Sequence, residues 1–335
     1  MSKEQRAKID AMLRQPRPEP ADATEPAGNA ETAGNAPSVE ASRAEFAALM
    51  ARRLVPDGLR TAQTTLGDRP ALRIESGEGA RTGTILYFHG GVWVVGSPAT
   101  ALSLTGHLAV KTGFEVYSLD YRLAPEHPFP AAIEDSVSAY RALLDRGVDP
   151  STIVFAGDSA GGGLAVTTSL AARDAGLPLP AAILGFSSMF DVTWASESMD
   201  TKAGIDPIFT RETLARTTNL YLAGADPHQP LLSPAVSADL AGLPPMLLQA
   251  GTDEVLLDDS TRLAARAIAA GVDVILDITA GVSHVFQGYA GLLDEADQAL
   301  DRAAYFLRQH VRPVDPASES ESESAPESAS GLSDE

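Results

Sequence analysis

One turn constrains the chain more than any other feature. Gly157-Asp158-Ser159-Ala160-Gly161 follows the apolar, β-branched run Thr152-Ile153-Val154-Phe155-Ala156 and opens a small-residue stretch, Gly162-Gly163-Leu164-Ala165-Val166. The order is strand, sharp turn, helix, with Ser159 at the apex. Glycines at 157 and 161 suit a turn so tight that strand presses against helix and no side chain fits between them. A G-x-S-x-G turn of this kind holds a serine Oγ above a sheet, and the first N–H groups of the helix point at whatever the serine attacks. A Gly-rich connection that merely contains a serine needs neither the strand before it nor the helix behind it.

The same rhythm recurs along the chain. Residues 62–76 read as an opening hairpin, Thr84-Ile85-Leu86-Tyr87-Phe88 as a buried strand, and Phe114 to Leu119 as another, followed by a helix from Ala131 to Arg146. Beyond the elbow, strands are predicted over Ala181–Phe186, Met246–Ala250 and Val272–Ile278, and helices over Asp258–Ala270 and Tyr289–His310. Strands alternating with helices predict an α/β fold with a doubly wound, mostly parallel sheet, whose catalytic loops lie at the strand C-terminal ends. Residues 189–225 break the alternation. They carry Trp194, Met199, Ile205, Phe209 and Tyr221 with no strand between them, and read as an insertion above the sheet.

At 335 residues and 44% hydrophobic, the chain can bury one large core and carry a smaller appendage. Residues 1–14 predict a short cap helix with Ile9, Met12 and Leu13 on one face, 15–38 a proline-rich flexible linker, and 39–60 a second cap-helix region. The catalytic domain is expected in two parts, 61–188 and 226–312, around the cap insertion 189–225, with an acidic, disordered tail over 313–335. The absence of cysteine removes disulfides, thiolate metal sites and cysteine catalysis together. A net charge of −20 argues against nucleic acid or an anionic membrane as partner. No apolar run suits membrane insertion or a secretory leader, so a cytoplasmic location is expected. No dinucleotide fingerprint occurs, and no metal or organic cofactor is implied.

A serine hydroxyl becomes a nucleophile when a base takes its proton, and the base needs an acid to fix its tautomer. His284 lies late in the chain, in the loop Gly281-Val282-Ser283-His284 between the last strand and the last helix. The order serine, acid, histidine then puts the acid after the strand that ends at Ala250. Four carboxylates stand there: Asp253, Glu254, Asp258 and Asp259. The last two open a helix and are explained by N-terminal capping; residue chemistry alone does not separate Asp253 from Glu254. His89-Gly90-Gly91-Val92-Trp93, directly after a strand, has the small residues that let backbone N–H groups approach a developing oxyanion.

Together His89-Gly90-Gly91, the run Tyr121-Arg122-Leu123-Ala124-Pro125-Glu126-His127-Pro128-Phe129-Pro130-Ala131-Ala132, and Gly157-Asp158-Ser159-Ala160-Gly161-Gly162 resemble the bacterial hormone-sensitive-lipase family of carboxylesterases. The resemblance implies an α/β-hydrolase fold with a helical cap, and a triad of Ser159, His284 and an acid. The family's acid motif, Asp-Pro-Leu-x-Asp, matches Glu254-Val255-Leu256-Leu257-Asp258, so the acid falls on Glu254, with Asp253 as runner-up. Asp258 then matches the second acid, expected to support the histidine loop. The implied oxyanion hole comprises Gly90, Gly91, Val92 and Ala160, with the N–H groups of the last three as donors. Valine is a departure there, since a β-branched residue resists positive φ and narrows the adjacent pocket. The tyrosine-to-proline run is expected to wall the site.

The activity so implied is hydrolysis of short- to medium-chain acyl esters through an acyl-enzyme, with a small-molecule ester as the partner and homodimerisation left open. Trp93, Met199, Ile205 and Phe209 are the pocket candidates. A lactonase, amidase or acyltransferase would use the same triad. A non-catalytic ligand receptor on the same fold would dispense with the histidine, which this chain retains.

Overall fold

The computed structural model describes residues 2–15, 38–77 and 81–311. The segments read as linker and tail fall outside these residues, apart from the two ends of the linker. Eight strands form one sheet: β1 (Leu59–Leu66), β2 (Arg69–Ser76), β3 (Thr84–Phe88), β4 (Glu115–Leu119), β5 (Ile153–Asp158), β6 (Ala182–Phe186), β7 (Met246–Gly251) and β8 (Val274–Thr279). Their spatial order is β1-β2-β4-β3-β5-β6-β7-β8. Only β2 runs opposite to the other seven strands, pairing antiparallel with β1 and β4, so the sheet is mostly parallel, as the strand–helix alternation predicts.

Each central strand is a short apolar run because it is covered on both faces. Successive side chains go to opposite sides. Leu86, Phe88, Phe155 and Ile183 pack with one set of helices, α4 (Ala131–Asp145), α5 (Ala160–Asp174) and α9 (Leu257–Ala269). Ile85, Tyr87, Val154 and Leu184 pack on the other face with α3 (Leu102–Thr112) and α10 (Asp294–His310). The remaining helices are α1 (Ser2–Leu13), α2 (Val39–Met50), α6 (Ser198–Thr201), α7 (Arg211–Leu222) and α8 (Pro234–Ser237).

Among the helices packed on the α10 face of the sheet, two depart from the sequence reading. Helix α3 has no counterpart there. Its sequence, LSLTGHLAVKT, mixes threonine, valine and glycine into a short segment of weak intrinsic propensity, and it lacks a side-chain N-cap. It forms because Leu104, Leu108 and Ala109 are buried against the sheet and α10, so packing supplies what propensity lacks. The last helix begins at Asp294, five residues later than predicted, because Phe286–Tyr289 makes a separate 3-10 turn.

Helix α1 buries no residue fully, and Ile9 and Met12 pack against the core on the α3 and α10 face. Its hold is largely polar: Arg6 pairs with Glu295 and donates to Ala280 O, while Arg14 Nη2 donates to Ile205 O at 2.7 Å. Helix α2 is held through Arg43, whose guanidinium donates to Val94 O, Ala124 O and both oxygens of Glu126.

Candidate active site

Because β3, β5, β6, β7 and β8 are parallel, the loops that follow them share one edge of the sheet. Ser159 directly follows β5, at the N-cap of α5, with φ 53° and ψ −122°, a sparsely populated conformation for a non-glycine residue. The strain is held from both sides. Ser159 N donates to Phe186 O at 2.8 Å, and Ser159 O accepts from Met189 N at 2.9 Å. At Gly161 any Cβ would run into the Phe88 carbonyl, so the elbow and β3 touch through backbone alone. Ser159 is 4% exposed.

His284 sits in the loop after β8, just before Val285, which adopts a left-handed conformation. Its Nδ1–H donates to Glu254 Oε2 at 2.7 Å. Glu254 follows β7 and is wholly buried, with both oxygens of its carboxylate engaged. Oε1 accepts from Gly251 N at 2.7 Å and from Ser187 Oγ at 3.0 Å. Ser187 Oγ in turn accepts from Val285 N at 2.9 Å, joining acid and histidine loops. A buried carboxylate so satisfied is held in one orientation, which is the requirement for fixing an imidazole tautomer.

Asp253, the runner-up, points elsewhere. Its Oδ1 accepts from Thr252 Oγ1, and it lines a cavity of about 150 Å³ beneath α1 with Arg6, Asp10 and Ser283. Asp258 does not support the histidine loop. Its Oδ2 accepts from Ser198 N at 2.8 Å, tethering α6. Asp259 Oδ2 accepts from Phe190 N and Asp191 N, fixing the start of the insertion. Neither residue makes a side-chain cap on α9, whose N-cap is Leu256.

The loop after β3 turns through three residues of positive φ: Gly91 at 122°, Val92 at 55° and Trp93 at 57°. A Cβ at Gly91 would strike Val95 O, so glycine is required there. Val92 adopts the left-handed conformation its branching resists, and it stays because Val94 N and Val95 N both bond Gly91 O across the turn. Among the described residues no protein acceptor takes the N–H of Gly91, Val92 or Ala160. Gly90, which was not among the expected donors, gives its N–H to Asp158 Oδ1 at 3.0 Å and anchors the loop.

Asp158, the residue before the serine, also accepts from Tyr87 Oη at 2.6 Å. Burial, reinforced by the Asp158 carboxylate, pushes the Tyr87 phenol well above its usual range, which keeps it a donor. His89 stacks on Tyr121 at 4.2 Å between ring centroids, and Tyr121 Oη donates to His89 O at 2.7 Å. Burial lowers the His89 pKa, so a neutral ring faces this packing. Neither Asp158 nor Ser187 carried a positional signal in the sequence beyond lying beside Ser159 or ending a strand.

Of the pocket candidates, Trp93 is buried and stacks on Tyr221 of α7 at 4.6 Å, with Phe129 edge-on to the same tyrosine. Phe209 meets the His284 ring edge-on at 5.0 Å. Met199 is buried within the core cluster. Ile205 is 44% exposed, whereas its neighbour Asp206 is buried. The run from Tyr121 to Pro130 ties cap to site: Ala124 N donates to Trp93 O and Phe129 N to Tyr221 O.

Comparison with known proteins agrees with this architecture. The profile of the alpha/beta hydrolase fold family matches residues 85–288. An acetyl-hydrolase of Streptomyces hygroscopicus is 44% identical over 225 residues, covering 67% of this chain and 75% of the relative. An esterase of Acinetobacter venetianus is 37% identical over 230 residues, covering 68% and 76%. The crystal structure of an esterase from the bacterial hormone-sensitive lipase family matches with a TM-score of 0.83 at 39% identity, over 92% of this chain and 99% of that one. With the serine elbow, the mostly parallel sheet and these relatives in agreement, the chain belongs to the bacterial hormone-sensitive lipase family of α/β-hydrolases and is a serine ester hydrolase.

Proposed function

We propose that this chain hydrolyses short- to medium-chain acyl esters through Ser159, His284 and Glu254 by way of an acyl-enzyme. His284 removes the Ser159 proton as Oγ attacks the ester carbonyl, and the buried Glu254 carboxylate stabilises the imidazolium that forms. The N–H groups of Gly91, Val92 and Ala160 donate to the tetrahedral oxyanion, each loss being worth about 2.7–4 kcal/mol of barrier by analogy with other acyl-transfer sites. His284 then protonates the departing alcohol and activates the water that releases the acid. The reading rests chiefly on the 2.7 Å bond between His284 Nδ1 and a carboxylate with no solvent exposure.

A short acyl group is favoured on two grounds. The nucleophile is only 4% exposed, which leaves little room beside it. The relative from Streptomyces hygroscopicus is an acetyl-hydrolase. A fluorophosphonate probe followed by peptide mass mapping tests the site, with modification of Ser159 alone expected. A panel of p-nitrophenyl esters from acetate to octanoate tests the substrate class. Labelling at another serine, or no p-nitrophenol from any ester of the panel, defeats the reading.

A further inference from the structure

One buried carboxylate of the insertion reaches directly into the acid loop. Asp206, 7% exposed, accepts the N–H of Ile208 at 2.7 Å and of Phe209 at 3.0 Å on Oδ1. Its Oδ2 accepts the N–H of Val255 at 2.9 Å. Val255 is the residue after Glu254, and Phe209 is the ring that leans edge-on against His284. A single side chain therefore sets the backbone beside the acid and the aromatic beside the base. The neighbouring Ser198 adds a second tether, donating from Oγ to Val255 O at 2.6 Å.

The chemistry of the two departures from the family motif fits together here. Proline stands in the motif where this chain has Val255, and proline has neither a free φ nor an N–H. Valine restores both, and the recovered N–H meets a carboxylate, an interaction roughly twice as strong as a neutral hydrogen bond. Glutamate in place of aspartate adds one rotatable bond to the acid, so its loop needs firmer support to present the carboxylate in one geometry.

We propose that Asp206 is a positioning residue for ester hydrolysis, holding the Glu254 loop and Phe209 in register with His284. The inference rests on the reading of Ser159, His284 and Glu254 as the triad. Over this edge of the site the insertion moves with the acid loop, since any lifting of 198–209 must break the Asp206–Val255 bond.

Two substitutions sever the bond from opposite sides. Asp206→Ser keeps a hydroxyl that can accept from the amides two and three residues on, as serine does in local turns, but is too short for Val255. Val255→Pro removes the N–H and puts its ring where the carboxylate sits. In p-nitrophenyl acetate hydrolysis each single substitution is expected to lower kcat about 10- to 100-fold with KM within about twofold, the pattern of displaced catalytic groups. The double variant should be no slower than the worse single, because both remove one interaction. Losses that multiply, or that fall on KM alone, overturn the proposal. Asp206→Asn, of the same shape, trades an acceptor oxygen for donors facing an amide N–H, and should lose kcat to a similar degree. Wild-type kcat in that variant overturns the proposal even if the proline variant does not fold. Ser159→Ala runs alongside: retained activity there removes the triad reading, and the inference with it, whatever the Asp206 variants do.

Discussion

Ser187 bridges Glu254 and the histidine loop, its hydroxyl donating to Glu254 Oε1 at 3.0 Å while accepting the N–H of Val285, the residue after His284, at 2.9 Å. It follows β6 with φ 46°, a conformation serine adopts at a cost. Strand β6 lies between the serine strand and the acid strand, so its C-terminal loop is the one that can reach both neighbours.

Ser187→Ala removes both bonds at once. A hydrogen bond to a charged group contributes about 1.5–3 kcal/mol, so kcat for p-nitrophenyl acetate should fall at least about tenfold. KM should change little, because Ser187 touches the acid and the histidine loop and not the ester. An unchanged kcat would place the restraint on Glu254 elsewhere.

Glu254→Gln and Asp253→Asn should part sharply. The amide at 254 cannot stabilise an imidazolium and can favour the wrong tautomer, a change that lowers kcat about 10⁴-fold when the acid of a serine-protease triad becomes its amide. Asp253→Asn should stay close to wild type, since Asp253 bonds Thr252 and makes no bond to the imidazole. Steady-state kinetics of the two variants decides between them, and a large loss only at 253 reverses the assignment.

Asp158 binds Gly90 N–H and Tyr87 Oη, so it links the serine elbow to the loop that carries the proposed oxyanion donors. Asp158→Ala frees that loop while leaving the nucleophile in place. A fall in kcat of about 10- to 100-fold is expected, short of the full loss of a donor. Labelling of Ser159 by a fluorophosphonate should slow in parallel; labelling at the wild-type rate would separate Asp158 from the cradle.

Glu126 holds Arg43 of α2, and the hydrogen bond from that guanidinium pulls its carboxyl from 4.5 down to about 2. A depressed folded pKa means that the stabilisation is complete above the unfolded value near 4.5 and is lost as pH falls through about 2. The glutamate is half exposed, so the contribution is small, about 1 kcal/mol or less after solvent screening. Glu126→Gln should lower Tm slightly at pH 6, and the difference from wild type should vanish near pH 2. A difference independent of pH would rule out the ion pair as its source.

The sequence by itself determined the sheet and marked the candidate residues at its edge. Continuous apolar runs such as Ile85–Phe88 and Ile153–Ala156 can be buried only on both faces, and glycines around Ser159 admit only a turn that presses strand on helix. The order of Ser159, Glu254 and His284 followed from motifs a few residues long. Residue chemistry left Asp253 beside Glu254, and the family motif favoured Glu254; the tertiary structure sets Glu254 against the imidazole, sends Asp258 to Ser198 instead of the histidine loop, turns Ile205 outward, ties Gly90 to Asp158 and forms α3 from a weak helical sequence. Local patterns report what a residue meets within a turn or two of its own chain. Which loop tips meet depends on the parallel order β3-β5-β6-β7-β8, which brings Ser187 to Val285 and Asp206 to Val255 across long separations, and hydrogen bonds at such meetings leave no periodic trace in the sequence.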